Sequence, residues 1–288
     1  MRKIRTVVLV CIAVTANWGF AADMIVPQGA VAGGKISIET SGTGEGTAVL
    51  IAPSHLLSKS IVLGRTFELA GDDLADAGQY TLILTSGDGE IAKKFFVSPG
   101  PPAHLSFVTH PSRAPVAQTA SITGAVYAFD SYDNLISQAL VVDFKLSGPQ
   151  AGTIERQVSS RSGVASVTLD SPAKEGLLRF EAATGGVRTA RIVRVVADEP
   201  CTLQIHAETL NSGRVRVQTA PVRDCSGNLV PDGTVVTFTG WDKQGRTTVD
   251  ASVKKGIAQV DLPARGEVRI SAASGVALGK EIRLRTTP

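Results

Sequence analysis

Around Phe238, and again across residues 256–262, apolar and polar residues alternate one for one. Val236 and Phe238 flank Thr237, while Ala258, Val260 and Leu262 are separated by Gln259 and Asp261. A period of two sends successive side chains to opposite faces, so each run predicts a strand with one buried and one wet face. Turn chemistry separates the runs: Gly227-Asn228 and Asp232-Gly233 are residues suited to positive φ. Comparable short runs recur at residues 80–84, 92–97, 163–169 and 187–196, although Arg188, Arg191 and Arg194 break the period in the last of these and leave its faces unassigned. Long helical patterns and dense β-α-β alternation do not occur. The expectation is an all-β chain built of sandwiches.

Part of this pattern is repeated. Asp130, Asn134, Val142 and Phe144 match Asp224, Asn228, Val236 and Phe238 at a spacing of 94 residues. The run beginning Gly163-Val164-Ala165 matches Gly256-Ile257-Ala258 at 93, and Gly176, Phe180 and Ala182 match Gly266, Ile270 and Ala272 at 90. Small drifts in spacing are what changing loop lengths do to two copies of one fold. Upstream, Gly78, Leu82 and Gly87 continue the pattern 98 residues before Gly176, Phe180 and Gly185. The run Asp76-Ala77-Gly78-Gln79-Tyr80 has the form of a tyrosine corner, in which the phenol bonds back to the loop before its strand. Junctions at Ser98-Pro99-Gly100-Pro101-Pro102 and Ala197-Asp198-Glu199-Pro200 divide the chain into units at 22–99, 100–198 and 199–288. Short junctions predict an elongated monomer of sandwiches in series.

Residues 1–21 read as a signal peptide. Arg2, Lys3 and Arg5 precede a short apolar run, and Gly19-Phe20-Ala21 offers a cleavage site, with Ala22 as an alternative end. Cys11 lies within that run and leaves with it. The formal net charge of +3 belongs to this segment, because removing its three cations leaves 26 basic and 26 acidic side chains. A basic pI is therefore no sign of nucleic-acid binding. Charge is unevenly spread, with 5 basic and 9 acidic groups over residues 22–99 against 12 and 9 over residues 199–288. No later stretch is long and apolar enough to anchor the mature chain in a membrane as a helix.

The second and third units resemble the bacterial immunoglobulin-like domains of group 1, the modules stacked in invasin- and intimin-type surface proteins. The shared pattern is an Asp, a Gly-Asn turn, a Pro-Gly-type turn, Val-x-Phe, a Gly-x-Ala-x-Val-x-Leu strand, and a late Gly followed by a strand ending in Ala. Residues 224–273 carry all of it. The middle unit carries Asp130, Asn134, Val142, Phe144, Gly163, Ala165, Val167, Leu169, Gly176 and Ala182, with residues 135–140 in place of the Pro-Gly turn. The resemblance covers about two thirds of the chain. It implies tandem immunoglobulin-like β-sandwiches, in a fold reused for spacing, adhesion and accessory roles.

Within this frame Asp130, Asn134, Phe144, Gly163, Asp224, Asn228, Gly233, Phe238 and Gly256 read as turn and core residues. Cys201 and Cys225 are the two cysteines after residue 21, and an even count in an exported chain predicts a disulfide. It would close a loop of about 25 residues and contribute about 3 kcal/mol. The alternative is a metal or redox pair, although the spacing lacks CxxC and His206 is the only nearby imidazole. Asp130, Asp133 and Asn134, or Asp224 and Asn228, could offer oxygens to calcium, but six or seven ligands are needed and side-chain bonds within turns explain them more simply.

Catalytic patterns are weak. His55, His104, His110 and His206 are dispersed without metal-ligand spacing, adjacent Ser54 and His55 do not make a nucleophile and base, and the glycine-rich points lack the context of a phosphate loop. No cofactor is expected. Arg214 and Arg216 share a strand face, as do Arg283 and Arg285, and no aromatic side chain is expected among them, so nucleic acid is not an expected partner. The sequence therefore points to an exported, non-catalytic binding or structural protein of the cell envelope, periplasmic or surface-exposed, that contacts a protein or glycan as a monomer or within an assembly. The alternative is an accessory subunit of an exported enzyme or surface assembly. The divergent first unit is the expected place for contact, at residues 49–63 with Pro53, His55 and Lys59.

Overall fold

Alternation becomes architecture in the same way three times. In the computed structural model, which describes residues 22–87, 89–150, 152–210 and 213–286, the interior strands bury alternate residues, as in Ile122–Phe129 and Val141–Gly148, whereas the edge strands Gly152–Ser159 and Gly245–Ser252 bury none. The segment read as a signal peptide lies outside the described residues.

The first sandwich is built from β1 (Met24–Ile25), β2 (Gly29–Val31), β3 (Gly33–Thr40), β4 (Glu45–Ile51), β5 (Leu56–Val62), β6 (Thr66–Gly71), β7 (Gly78–Ser86) and β8 (Gly89–Ser98). A three-stranded sheet in the order β1-β3-β6 faces a five-stranded sheet in the order β2-β8-β7-β4-β5. A 3₁₀ turn, Asp72–Leu74, leads from β6 toward β7.

The second sandwich comprises β9 (His104–His110), β10 (Arg113–Pro115), β11 (Ile122–Phe129), β12 (Val141–Gly148), β13 (Gly152–Ser159), β14 (Val164–Leu169), β15 (Gly176–Thr184) and β16 (Val187–Val196). Its sheets run β14-β11-β9 and β10-β16-β15-β12-β13. The third comprises β17 (Ile205–Leu210), β18 (Arg214–Thr219), β19 (Val235–Asp242), β20 (Gly245–Ser252), β21 (Gln259–Pro263), β22 (Glu267–Ser274), β23 (Ala277–Leu278) and β24 (Ile282–Arg285). Its sheets run β17-β18-β21 and β20-β19-β22, with β23 and β24 both pairing with β22. The strands are antiparallel except where β2 meets β8 and β10 meets β16, and a single parallel bridge from Leu203 to Gly279 stands in that place in the third sandwich.

By contacts the chain divides into two compact units. One runs through Gly100 and includes Tyr132–Asn134, and the other holds Pro101–Ser131 and everything from Leu135 onward. Each sandwich has its own apolar core, so the second unit contains two. Phe107, Phe144 and Phe180 centre the second core, with ring centroids 5.1–6.1 Å apart, and Phe238 is fully buried in the third. Such rings contribute both area and edge-to-face attraction.

Two positive-φ residues in sequence close matching hairpins in the second and third sandwiches. Ser162 and Gly163 have φ of 50° and 83°, and Lys255 and Gly256 have 51° and 83°. Both turns carry reciprocal backbone bonds, between Arg161 and Val164 and between Lys254 and Ile257, as type I′ hairpins require. At the preceding turns the positive φ falls on Asp133 and Gly227, rather than on Asn134 or Asn228. The asparagines are thereby left in ordinary backbone geometry, and their side chains bond outside the turn, to Ala75 and Ala77 for Asn134 and to Ala173 for Asn228.

Candidate functional site

The loop from β4 to β5 brings Ser54 and His55 to Asp76, which follows the 3₁₀ turn. Asp76 Oδ2 accepts from the Ser54 hydroxyl at 2.5 Å and from the Ser54 N–H at 3.1 Å, and lies 3.3 Å from His55 Nδ1. The Ser54 hydroxyl is the chief reason that the Asp76 carboxyl sits below the usual carboxylate range; partial burial works against it, and the Ser54 amide and His55 reinforce it. Ser54 and His55 thus share one carboxylate. The hydroxyl proton is committed to Asp76 and is not poised for transfer to an imidazole, as nucleophilic chemistry requires.

Tyr80 completes the cluster. Its hydroxyl donates to Asp76 O at 2.9 Å and accepts from the Asp76 N–H at 3.1 Å, forming a tyrosine corner. Burial, with the Asp76 charge added, pushes the phenol up to about 12. Lys59 bonds Asp73 at 2.7 Å, and Pro53 is exposed. Around these committed polar groups lies apolar surface. Strand β5 is the free edge of its sheet, and its Leu56, 67% exposed, stands opposite Ile51, 42% exposed.

Asp224 organises a second polar cluster. Its Oδ1 accepts from the N–H groups of Ser226 and Asn228, both at 2.9 Å, and its Oδ2 accepts from the Asp198 N–H and Asn228 Nδ2, both at 3.1 Å. Burial opposes ionisation here, but the bonds from Asn228, Asp198 and Ser226 outweigh it and hold the carboxyl below its ordinary value. Asn228 Nδ2 also donates to Ala173 O at 2.9 Å. In the first unit Asn134 plays a similar part, with Nδ2 donating to Ala75 O and Oδ1 accepting from the Ala77 N–H, both at 2.7 Å. Asp130 is fully buried. A cation at Asp224 would have to displace these N–H donors, and no group of three or more His, Cys, Asp or Glu among the described residues could hold a metal. The Cys201–Cys225 disulfide is formed beside this cluster. Gly233 bonds Val253 O and takes φ 95°, which relates it to the turn before β19.

The arginines divide into two kinds. Arg216 makes a two-pronged pair with Asp261, at 2.9 and 3.2 Å, and Arg214 donates to the Asp261 carbonyl. The other group contains an aromatic residue, contrary to the expectation from sequence. On the outer face of β20-β19-β22-β24, cross-strand register lines up Arg246, Trp241, Arg269 and Arg283. The guanidinium carbons of Arg246 and Arg269 lie over the Trp241 ring at 5.7 and 5.0 Å from its centroid. These residues are scattered over residues 241–283, and only strand register makes them neighbours.

No family model matches the chain, and no curated protein matches it in sequence. Solved structures do match it. FdeC, an Escherichia coli adhesin, is similar with a TM-score of 0.64 at 16% identity, over 94% of this chain and 98% of its own. Invasin, a bacterial integrin-binding protein, gives 0.55 at 15% over 93% of this chain, which spans 60% of the invasin chain. InvD of Yersinia pseudotuberculosis gives 0.51 at 10%, over 93% and 97%. At these identities the likeness establishes the fold: the chain is a series of immunoglobulin-like β-sandwiches of the kind found in bacterial adhesins. No helix among the described residues is long and apolar enough to cross a membrane.

Proposed function

We propose that the protein is an exported, non-catalytic binding protein of the cell envelope, in which immunoglobulin-like domains of bacterial group 1, at residues 100–198 and 199–288, follow a divergent domain at 22–99 that makes the principal protein contact. The observation that carries this reading is the free edge at β5, where exposed Leu56 faces exposed Ile51 beside Pro53, His55 and Lys59. An edge strand offers unpaired backbone groups, and two exposed aliphatic side chains on the adjoining face add apolar area that a protein partner can cover. The nearby polar groups help to hold the loop, since Ser54, Tyr80 and Nδ1 of His55 bond Asp76 and Lys59 bonds Asp73, while His55 Nε2 is buried with no hydrogen-bond partner among the described residues. They therefore shape the surface without supplying a reactive pair.

Capture of envelope proteins by the immobilised mature chain, identified by mass spectrometry, tests the reading. Replacing Leu56 and Ile51 together by Lys is expected to weaken capture of the principal partner at least about tenfold, equivalent to about 1.4 kcal/mol. Undiminished capture by the double variant, or robust hydrolysis of esters, glycans, peptides or phosphoesters by the purified chain, would refute it.

A further inference from the structure

We infer that the outer face of the third sandwich, along Arg246, Trp241, Arg269 and Arg283, binds an acidic polysaccharide through the carboxylate or sulfate groups carried by its sugars. This surface is separate from the β5 edge and differs from it in chemistry.

The internal repeat isolates the feature. At the corresponding cross-strand row of the second sandwich, register places Thr153, Ser147, Arg179 and Ile192 in neighbouring positions. The same sheet is thus built there without the tryptophan or two of the three arginines. On that sheet Lys145 pairs with Glu155 at 3.0 Å, Arg179 pairs with Glu181 at 2.9 Å, Gln157 donates to Asp143 at 2.8 Å, and Arg156 and Arg191 donate to backbone carbonyls. In the third sandwich the balance differs. Glu281 is divided between Arg269 and Arg283, at 3.6 and 3.3 Å, and Asp242 accepts from the Gln244 and Arg265 N–H groups. Arg246 and Lys243 have no carboxylate partner among the described residues, and both are exposed.

Trp241 gives the cations order. A guanidinium stacked over an indole uses its flat face and keeps its in-plane N–H donors for an anion. With strands about 4.8 Å apart, Arg246 and Arg269 stand about 10 Å apart across Trp241, and Arg283 one strand further on. Beside this row lie the exposed Thr248 and the half-buried Ser271, in cross-strand register on either side of the buried Thr239, whose Oγ1 is 3.3 Å from Thr248 Oγ1. Cations alternating with an aromatic spacer, next to hydroxyl donors and acceptors, suit a chain that bears both anionic and hydroxyl groups. A shallow bowl of about 340 Å³ opens at Trp241, Asp242, Lys243, Glu267, Arg269 and Arg283, with three cations against two carboxylates in its lining. An acidic peptide fits less well: β19 and β22 are interior strands paired on both sides, so a peptide laid on this face gains no main-chain ladder.

The test uses the full mature chain and measures affinity for heparin (sulfated), polygalacturonate (carboxylated), neutral dextran, polyglutamate and duplex DNA at about 0.1 M salt, where charges within about 10 Å still act. Binding to heparin, polygalacturonate or both, with neither polyglutamate nor DNA matching the better of them and none to dextran, is expected; preference between the first two assigns the anion. The exposed pair Arg246→Gln/Arg269→Gln should lower that affinity at least about tenfold with circular dichroism unchanged. A control pair on the second sandwich, Arg156→Gln/Arg188→Gln, should change it less than about twofold. Equal losses from both pairs, polyglutamate or DNA binding as tightly as the better polysaccharide, or no polysaccharide binding would overturn the proposal. Substitutions at Leu56 and Ile51 should leave polysaccharide affinity intact, which separates this result from the outcome at the β5 edge.

Discussion

Gly124 lies under Phe180 so closely that a methyl group on its Cα would stand 2.7 Å from the ring, and 2.9 Å from that of Phe107. The glycine is in the middle of β11, where it weakens intrinsic strand preference. Its absent side chain is the space that the three-phenylalanine core occupies. Gly124→Ala should therefore destabilise the second sandwich by about 1–3 kcal/mol through overpacking, read as a lower urea midpoint. A neutral result would show that Phe180 can move aside at no cost.

Removing the Tyr80 hydroxyl leaves the Asp76 N–H and carbonyl without their partner. Tyr80→Phe is expected to cost about 1–3 kcal/mol while leaving the ring stacked against Phe95, whose centroid is 5.3 Å away. Because the folded phenol is raised to about 12 from its ordinary value of 10.0, its contribution is complete below pH 10 and lost as pH rises through about 12. Ultraviolet titration of Tyr80 against the Phe variant checks the direction, and a phenol ionising at the ordinary value would contradict it.

At Asp224 the sign is opposite. A carboxyl held low when folded stabilises the fold above its unfolded value, and that contribution disappears as pH falls through the depressed folded value. Asp224→Ala should cost about 2–3 kcal/mol at neutral pH, since it leaves buried N–H donors of Asn228 and its neighbours unpaired. Its unfolding midpoint should also vary less with pH than that of the parent protein below about pH 4. Parallel acid profiles for the two proteins would rule out Asp224 as a source of acid sensitivity.

Gly256 and Gly233 both have positive φ, 83° and 95°, but their surroundings differ. A Cβ at Gly256 would meet a Leu229 methyl at 2.8 Å, whereas at Gly233 it would meet nothing within 4 Å. Gly233→Ala should then cost only backbone strain, about 1–2 kcal/mol, and Gly256→Ala measurably more. Adding Leu229→Ala to Gly256→Ala should recover the excess, and denaturant unfolding of the double-mutant cycle gives that coupling directly. Additive costs would mean that the leucine simply moves.

The all-β class, the repeat, the tyrosine corner and the Cys201–Cys225 pairing were readable from the residues alone, because each follows from local rules: alternation at a period of two, turn residues at fixed offsets, and cysteine parity. Leu135 and Leu229 also keep the 94-residue spacing, yet their packing against Gly163 and Gly256 was invisible because a glycine's missing side chain has significance only once its neighbour is known. Trp241, Arg246, Arg269 and Arg283 show the same limit at the surface. Alternation says that each faces away from the core, but which residue stands beside which depends on strand order and register across three separate pairings. The edge position of β5 likewise depends on which strands pair, and tertiary structure alone decides where the exposed Leu56 and Ile51 come together. Local chemistry was legible because nearest neighbours in the chain enforce it, whereas a surface is assembled from residues far apart in sequence and is specified only when the sheet closes.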